Sequence, residues 1–224
     1  YNPTYLEISF GNECNMRCAY CHPKASSAWM KEMQLKGSFE NAEHLQVVEQ
    51  EIYEETKNPY VDAFFEWWPS LRKDLKVLRV TGGEPLLQKK CIKLIEELER
   101  KNKKVLIETG GALSIKEISK KTHIILDIKC PSSNMSHKNL LDNFNYIKKT
   151  DEIKFVIGDK KDYLWTKDII ENYKLDEKCS ILISPVHKKI KEEKLVEWIL
   201  KDNLNVRFQI QLHKQIWDED TKGV

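Results

Sequence analysis

Seven short apolar runs, separated by stretches of helical periodicity, constrain the fold more than any other feature of this sequence. They cover Tyr5 to Phe10, Lys76 to Thr81, Lys104 to Glu108, Ile124 to Ile128, Glu152 to Ile157, Ser180 to Ser184 and Val206 to Leu212. Helices are expected at 25–33, 43–56, 89–100, 138–149, 163–173 and 191–201, where apolar residues recur at helical spacing, as at Leu45, Val48 and Ile52 or at Ile92, Ile95 and Leu98. A strand, a helix and a second strand return the chain in the same direction. The alternation therefore predicts an α/β fold, a mostly parallel curved sheet with helices outside. Seven strands suit a partial (β/α) barrel or an open sheet, in which polar groups gather at the strands' C-terminal ends.

The chain has 224 residues, read as a single domain over 1–224 and long enough to bury a core without a structural metal or disulfides. A metal site would then serve chemistry rather than folding. The 37 Lys plus Arg nearly balance the 35 Asp plus Glu, leaving +2, so no broad basic field for nucleic acid is expected. The lysine-rich patches at 101–104 and 187–194 read as solvated faces. No apolar run approaches the roughly 20 residues that span a bilayer, and the first residues lack the layout of a secretion signal. A cytoplasmic protein without membrane contact is the expectation.

Six cysteines divide unevenly: Cys14, Cys18 and Cys21 crowd into eight residues, while Cys91, Cys130 and Cys179 stand alone and read as buried packing residues. Three thiolates spaced Cys14-x3-Cys18-x2-Cys21 can wrap a cubane cluster and leave one iron without a protein ligand, which a four-thiolate electron-transfer site would close. A zinc site completed by His22, in a binding module without catalysis, and a redox dithiol from Cys18 and Cys21 are the alternatives. Further along, Gly82-Gly83-Glu84-Pro85 follows a strand, where glycines allow close backbone approach to a ligand and the acid complements an ammonium. Glu108-Thr109 ends the next strand and offers a carboxylate to a diol. Asp127-Ile128-Lys129 ends the one after, and the pleat sends Asp127 and Lys129 to one face, as a ligand contact or as a buried ion pair.

The cysteine spacing, with Tyr20 just before the last cysteine, and the Gly82-Gly83-Glu84 loop resemble the signatures of the radical S-adenosyl-L-methionine (SAM) superfamily. That resemblance implies a 4Fe-4S cluster on Cys14, Cys18 and Cys21, whose open iron is chelated by SAM. One electron then cleaves the sulfonium to methionine and a 5′-deoxyadenosyl radical. The protein positions SAM and keeps the radical from water.

From about Val77 onward the chain is similar to the 7-carboxy-7-deazaguanine synthases. The match rests on Val80-Thr81-Gly82-Gly83-Glu84-Pro85-Leu86, Ile107-Glu108-Thr109, Asp127-Ile128-Lys129-Cys130-Pro131-Ser132-Ser133, Lys154-Phe155-Val156-Ile157, Asp162-Tyr163-x-Trp165, Ser184-Pro185, and the tail from Val206 through Lys214 with Trp217. The resemblance implies a substrate, 6-carboxy-5,6,7,8-tetrahydropterin, that loses its C6 hydrogen, contracts its ring and releases ammonia with magnesium assisting. It also implies a flavodoxin- or ferredoxin-type electron donor and a homodimer. Gly82, Gly83, Glu84, Glu108, Asp127, Lys129 and Ser132 become candidate SAM contacts, and Thr81 and His213 candidate substrate contacts. In a strand Gln209, Gln211 and His213 would share one face and offer a row of hydrogen-bonding groups to a flat heterocycle.

The first part of the chain departs from the synthase pattern. It carries no Q-G-E-G segment, and Cys21 is followed by His22-Pro23 where relatives carry Asp-Thr, whose threonine ligates magnesium. Neither imidazole nor proline is a plausible replacement for a hard ion. Ser26-Ser27-x-Trp29 and Phe64-Phe65-x-Trp67-Trp68-Pro69 are similar to segments of compact twitch-type radical SAM proteins acting on other substrates, which keeps a different substrate open; these aromatics read as core.

Overall fold

A computed structural model of the chain describes residues 1–38, 58–210 and 216. Seven strands, β1 (Tyr5–Ile8), β2 (Val77–Val80), β3 (Lys104–Thr109), β4 (His123–Ile128), β5 (Glu152–Ile157), β6 (Ser180–Pro185) and β7 (Arg207–Phe208), form one sheet in sequence order. Every neighbouring pair is parallel. This is the partial barrel expected from the alternation of strands and helices.

The register separates two chemistries. Leu78 and Val80 of β2, Val105 and Ile107 of β3, Ile124, Leu126 and Ile128 of β4, Ile153, Phe155 and Ile157 of β5 and Ile181 and Ile183 of β6 are all buried in one core. The helices α2 (Pro59–Asp74), α3 (Lys89–Arg100), α4 (Lys160–Tyr173) and α6 (Glu192–Lys201) add Val61, Trp68 and Leu71, Leu94 and Leu98, Tyr163 and Ile170, and Leu195 and Ile199 to it. Burying each such aliphatic side chain contributes roughly 1.5–3 kcal/mol, so the outer face fixes the strand register. The alternate residues are left on the other face, where the charges lie.

Local signals set the helix ends. α1 (Ser27–Lys36) is capped by Ser26 and ends at Gly37, whose φ of 84° suits a residue without a side chain. Asp159 caps α4 by accepting from Asp162 N at 2.8 Å, and Asn58 caps α2 by accepting from Tyr60 N at 3.0 Å. The two Phe and two Trp at 64–68 belong to α2, where Phe64 and Trp68 are buried and stack at 5.6 Å. Cys91, Cys130 and Cys179 are buried, as expected.

The helix expected at 138–149 is replaced by two short 3-10 turns, Ser136–Lys138 and Leu141–Asn145. Its asparagines bond to other loops instead of favouring helix. Asn139 accepts from Lys129 N and donates to Lys129 O, both at 2.9 Å, while Asn143 accepts from Ile115 N at 3.1 Å and donates to Leu113 O at 2.9 Å. Among the described residues the last strand covers Arg207 and Phe208, which pair with Leu182 and Ile183 of β6; the end of the strand expected at 206–212 lies outside them. The helix expected at 43–56 lies outside the described residues. Among the described residues no helix is long and apolar enough to cross a membrane.

Candidate active site

Among the charged side chains that β1 to β5 present on the face away from the helices are Glu7, Arg79, Glu108, Asp127 and Lys154. Arg79 donates to Glu7 Oε2 at 3.2 Å and to Glu108 Oε2 at 2.6 Å, and Lys154 donates to Glu108 Oε1 at 2.8 Å. Thr81 Oγ1 extends the row by donating to Glu7 Oε1 at 3.2 Å. Burial alone would push the Glu108 carboxyl up, but Lys154 and Arg79 outweigh it and hold the group below the usual carboxylate range. An ionised carboxylate is thus fixed in place at neutral pH.

Glu7, Arg79, Thr81, Glu108 and Asp127 line a cavity of about 430 Å³ together with Cys14, Cys18, Cys21, Gly82, Gly83, Glu84 and Lys129. The fold therefore brings together the three cysteines, the glycine loop and the ends of β2, β3 and β4, which the sequence scatters over more than a hundred positions. Burial pushes all three thiols up, Cys18 to about 12. Among the described residues no group of three or more His, Cys, Asp or Glu is gathered at the spacing of a single metal ion. His22 Nδ1, the candidate zinc ligand, accepts from Lys24 N at 3.0 Å and caps the short turn Pro23–Ala25.

The glycine loop is shaped by the cysteine loop. A Cβ on Gly83 would stand 2.2 Å from Glu13 O, and one on Gly82, at φ 115°, would stand 2.1 Å from Ser9 Oγ. Only glycine lets the two backbones meet here, with Glu84 N donating to Glu13 O at 2.6 Å. The Glu84 carboxylate is buried and accepts from Thr109 Oγ1 at 2.8 Å, Gly110 N at 2.9 Å and Leu86 N at 3.2 Å. It ties the β2 loop to the end of β3, and burial pushes its carboxyl up despite these hydrogen bonds.

At the end of β4, Lys129 Nζ donates to Asp127 Oδ2 at 2.7 Å and lies 5.8 Å from the centre of the Tyr20 ring. Burial alone would lower Lys129; the Asp127 carboxylate outweighs it and holds the ammonium well above its ordinary range. Asp127 Oδ1, Tyr20 Oη and Arg79 Nε are buried without a hydrogen-bond partner among the described residues, and all three residues line the cavity. Unpartnered polar atoms are rare in protein interiors, and three of those found among the described residues belong to the wall of this one cavity.

Ser132 does not line the cavity. Its N–H donates to Asp162 Oδ1 at 2.8 Å and its hydroxyl donates to Asp162 Oδ2, joining the segment after β4 to the start of α4. Gln209 is exposed, and its N–H donates to Ile183 O at 2.9 Å. Gln211 and His213 lie outside the described residues. Sequence reading missed Glu7, Arg79 and Lys154 as site residues, although each is a charge flanked by apolar residues within a strand.

Residues 8–199 match the radical SAM superfamily. A 7-carboxy-7-deazaguanine synthase of Chlorobaculum tepidum is 41% identical over 154 residues, covering 67% of this chain and 70% of the relative. Those of Koribacter versatilis, at 31% identity, and Clostridium acetobutylicum, at 33%, each match 94% of this chain and cover 88% and 86% of their own length. The chain belongs to the 7-carboxy-7-deazaguanine synthase family of the radical SAM superfamily. Its fold is also that of Streptococcus suis SuiB bound to S-adenosylmethionine, with a TM-score of 0.55 over 94% of this chain and 51% of that one at 15% identity.

Members of this superfamily use a 4Fe-4S cluster and SAM. The cavity fits both groups. Three thiols line it, the ligand number that leaves one iron of a cubane open. Its acidic side chains Glu7, Glu84, Glu108 and Asp127 and its bases Arg79 and Lys129 offer partners to both the ammonium and the carboxylate of SAM. Magnesium does not fit the loop after Cys21: His22 Nδ1 is engaged by Lys24 N, Pro23 is buried, and neither offers a side-chain oxygen.

Proposed function

We propose that this chain converts 6-carboxy-5,6,7,8-tetrahydropterin to 7-carboxy-7-deazaguanine by hydrogen abstraction and ring contraction, as a lyase of queuosine biosynthesis. The observation that carries the reading is the convergence on one cavity of three thiols, an ionised carboxylate held by two cations, and three unpartnered polar atoms. The choice of a pterin over other small molecules rests on the synthase relatives at 31–41% identity.

Cys14, Cys18 and Cys21 would hold the cluster. When bound, the cluster and SAM supply the radical that takes the substrate hydrogen. Glu108, fixed by Arg79 and Lys154, accepts hydrogen bonds from the ribose of SAM. Asp127 Oδ1, the backbone of Gly82 and Gly83, and Glu84 receive its ammonium end, and Lys129 faces its carboxylate. Ser132 acts at a distance, by fixing the segment after β4 through Asp162. Thr81, Gln209, Gln211 and His213 remain the substrate side. A flavodoxin- or ferredoxin-type protein as electron donor, a homodimer and a cytoplasmic setting complete the reading.

Anaerobic incubation with SAM, a reductant and the carboxytetrahydropterin should release the deazapurine and ammonia, with any SAM consumed recovered as equal amounts of methionine and 5′-deoxyadenosine. Cleavage of SAM without the deazapurine would sink the substrate assignment and leave the SAM chemistry. A second reading, a different substrate, is favoured by one observation: His22-Pro23 puts no oxygen where relatives place magnesium. Formation of the deazapurine in the presence of a chelator selective for divalent cations would show that the pterin reaction proceeds with this loop.

A further inference from the structure

The segment Ser26-Ser27-x-Trp29 has no part in the reaction as derived above and is absent from the cavity wall, yet it reaches all three cysteines from behind. Ser26 Oγ accepts from Trp29 N at 3.3 Å to cap α1 and donates to Met16 O at 2.7 Å. Ser27 Oγ accepts from Cys14 N at 3.0 Å and lies 3.3 Å from Cys14 O, while Ser27 N donates to Asn12 O at 2.8 Å. Trp29 Nε1 donates to Cys18 O at 2.9 Å. The ring of Trp29, with Met33, packs against Cys21.

A single helical turn thereby takes up backbone groups at Cys14, Met16 and Cys18 and covers Cys21. On its other sides the loop is held by Ala19 N donating to Ser133 O at 2.9 Å and by Glu84 N donating to Glu13 O. We propose that Trp29, with Ser26 and Ser27, is a positioning residue for the cluster, fixing the Cys18 carbonyl and shielding Cys21 so that the cluster is retained in a set electronic environment. The inference rests on Cys14, Cys18 and Cys21 as cluster ligands. Its physical basis is twofold. Cys18 O also accepts from Cys21 N at 2.9 Å, so loss of the indole donor leaves this buried carbonyl with one bond in place of two and loosens the tie between the cysteine loop and α1. Hydrogen bonding and solvent access around a cluster tune its potential and stability.

The test compares Trp29→Phe with wild type after anaerobic reconstitution, following iron release to a chelator and the midpoint potential in an EPR-monitored titration. Trp29→Phe keeps a buried ring and removes only the indole donor and part of its volume. Iron release should be about tenfold faster, the scale of one lost buried hydrogen bond, and the midpoint should be displaced. Trp68→Phe is the control, since Trp68 is equally buried but stacks on Phe64 in α2 and its Nε1 has no partner among the described residues. It should match wild type in both readouts. Ser27→Ala should move iron release in the same direction as Trp29→Phe and carries the test if that variant does not fold. Wild-type rates and potential in both Trp29→Phe and Ser27→Ala, or the same change in Trp68→Phe, would overturn the inference. A wild type that binds no cluster would instead remove the ligand assignment, and the inference with it.

Discussion

Lys154 on β5 reaches past the intervening β4 to Glu108 on β3, donating to its Oε1 at 2.8 Å. Both side chains are mostly buried, at 24% and 20% exposure, so the pair is screened less than a surface ion pair. Lys154→Met leaves Glu108 with Arg79 alone and should lower stability by about 1–3 kcal/mol at pH 7, measured by urea denaturation. Glu108 has a folded-state pKa below its unfolded one. Its contribution is therefore full above the ordinary carboxylate range and disappears as pH falls through the depressed value. The difference between wild type and Lys154→Met should accordingly close in acid. A difference independent of pH would show that the variant loses packing rather than the ion pair.

Much of the fold was legible because burial is strict on one face of the sheet. Leu78, Val80, Ile107, Leu126 and Phe155 alternate with Arg79, Glu108, Asp127 and Lys154, and a charge at a position out of phase with the buried residues of an apolar strand marks the face that holds chemistry. The cysteine spacing and the Gly82-Gly83-Glu84 loop were readable for a related reason, since each is local in sequence. Three things were not. Arg79 and Lys154 act on Glu108 from other strands, a relationship set by register alone. Ser132 looked like a ligand contact but is turned to Asp162. The turns at 136–145 replaced a helix because Asn139 and Asn143 bond across loops, which no local periodicity reveals.

The contact between Gly83 and Glu13 gives a second test. Alanine at 83 would place a Cβ 2.2 Å from a backbone oxygen that cannot rotate away, so the cysteine loop and the β2 loop must separate. Overpacking of this kind costs about 1–3 kcal/mol. Gly110→Ala meets the flexible end of Met16 at 3.1 and 3.3 Å and Glu84 Oε2 at 3.4 Å, an ordinary contact, and should cost under about 1 kcal/mol. Thermal melts of the two variants should separate clearly. Equal melting temperatures would mean that the two loops do not depend on close approach.

Asp162 offers a test of the bridge behind the β4 loop. Its Oδ1 accepts from Ser132 N and its Oδ2 from Gly158 N, both at 2.8 Å. In Asp162→Asn either orientation of the amide turns its NH2 toward a backbone N–H, so one donor is always opposed by another. The substitution should cost about 1.5–3 kcal/mol and Ser132→Ala, which loses only the hydroxyl, about 1 kcal/mol. Denaturant midpoints should fall in that order. Ser132→Ala as the more damaging change would point to a direct role for the hydroxyl.

Tyr20 supplies the test of whether the cavity is built around a polar ligand. Its hydroxyl is buried without a partner among the described residues, and burial pushes its pKa up, so it is a neutral donor at any pH the protein survives. Such a group weakens the free protein and gains only when a ligand satisfies it. Tyr20→Phe keeps the ring beneath Lys129 and removes the hydroxyl alone. Two opposite changes follow, because the same atom is unfavourable before binding and favourable after it. Reconstituted Tyr20→Phe should be more stable than wild type without SAM, by about 1 kcal/mol, and should bind SAM about tenfold more weakly, which thermal melts with and without SAM read together. A variant that is less stable without SAM, or whose stabilisation by SAM equals that of wild type, would mean that the hydroxyl is satisfied within the protein and takes no part in holding the ligand.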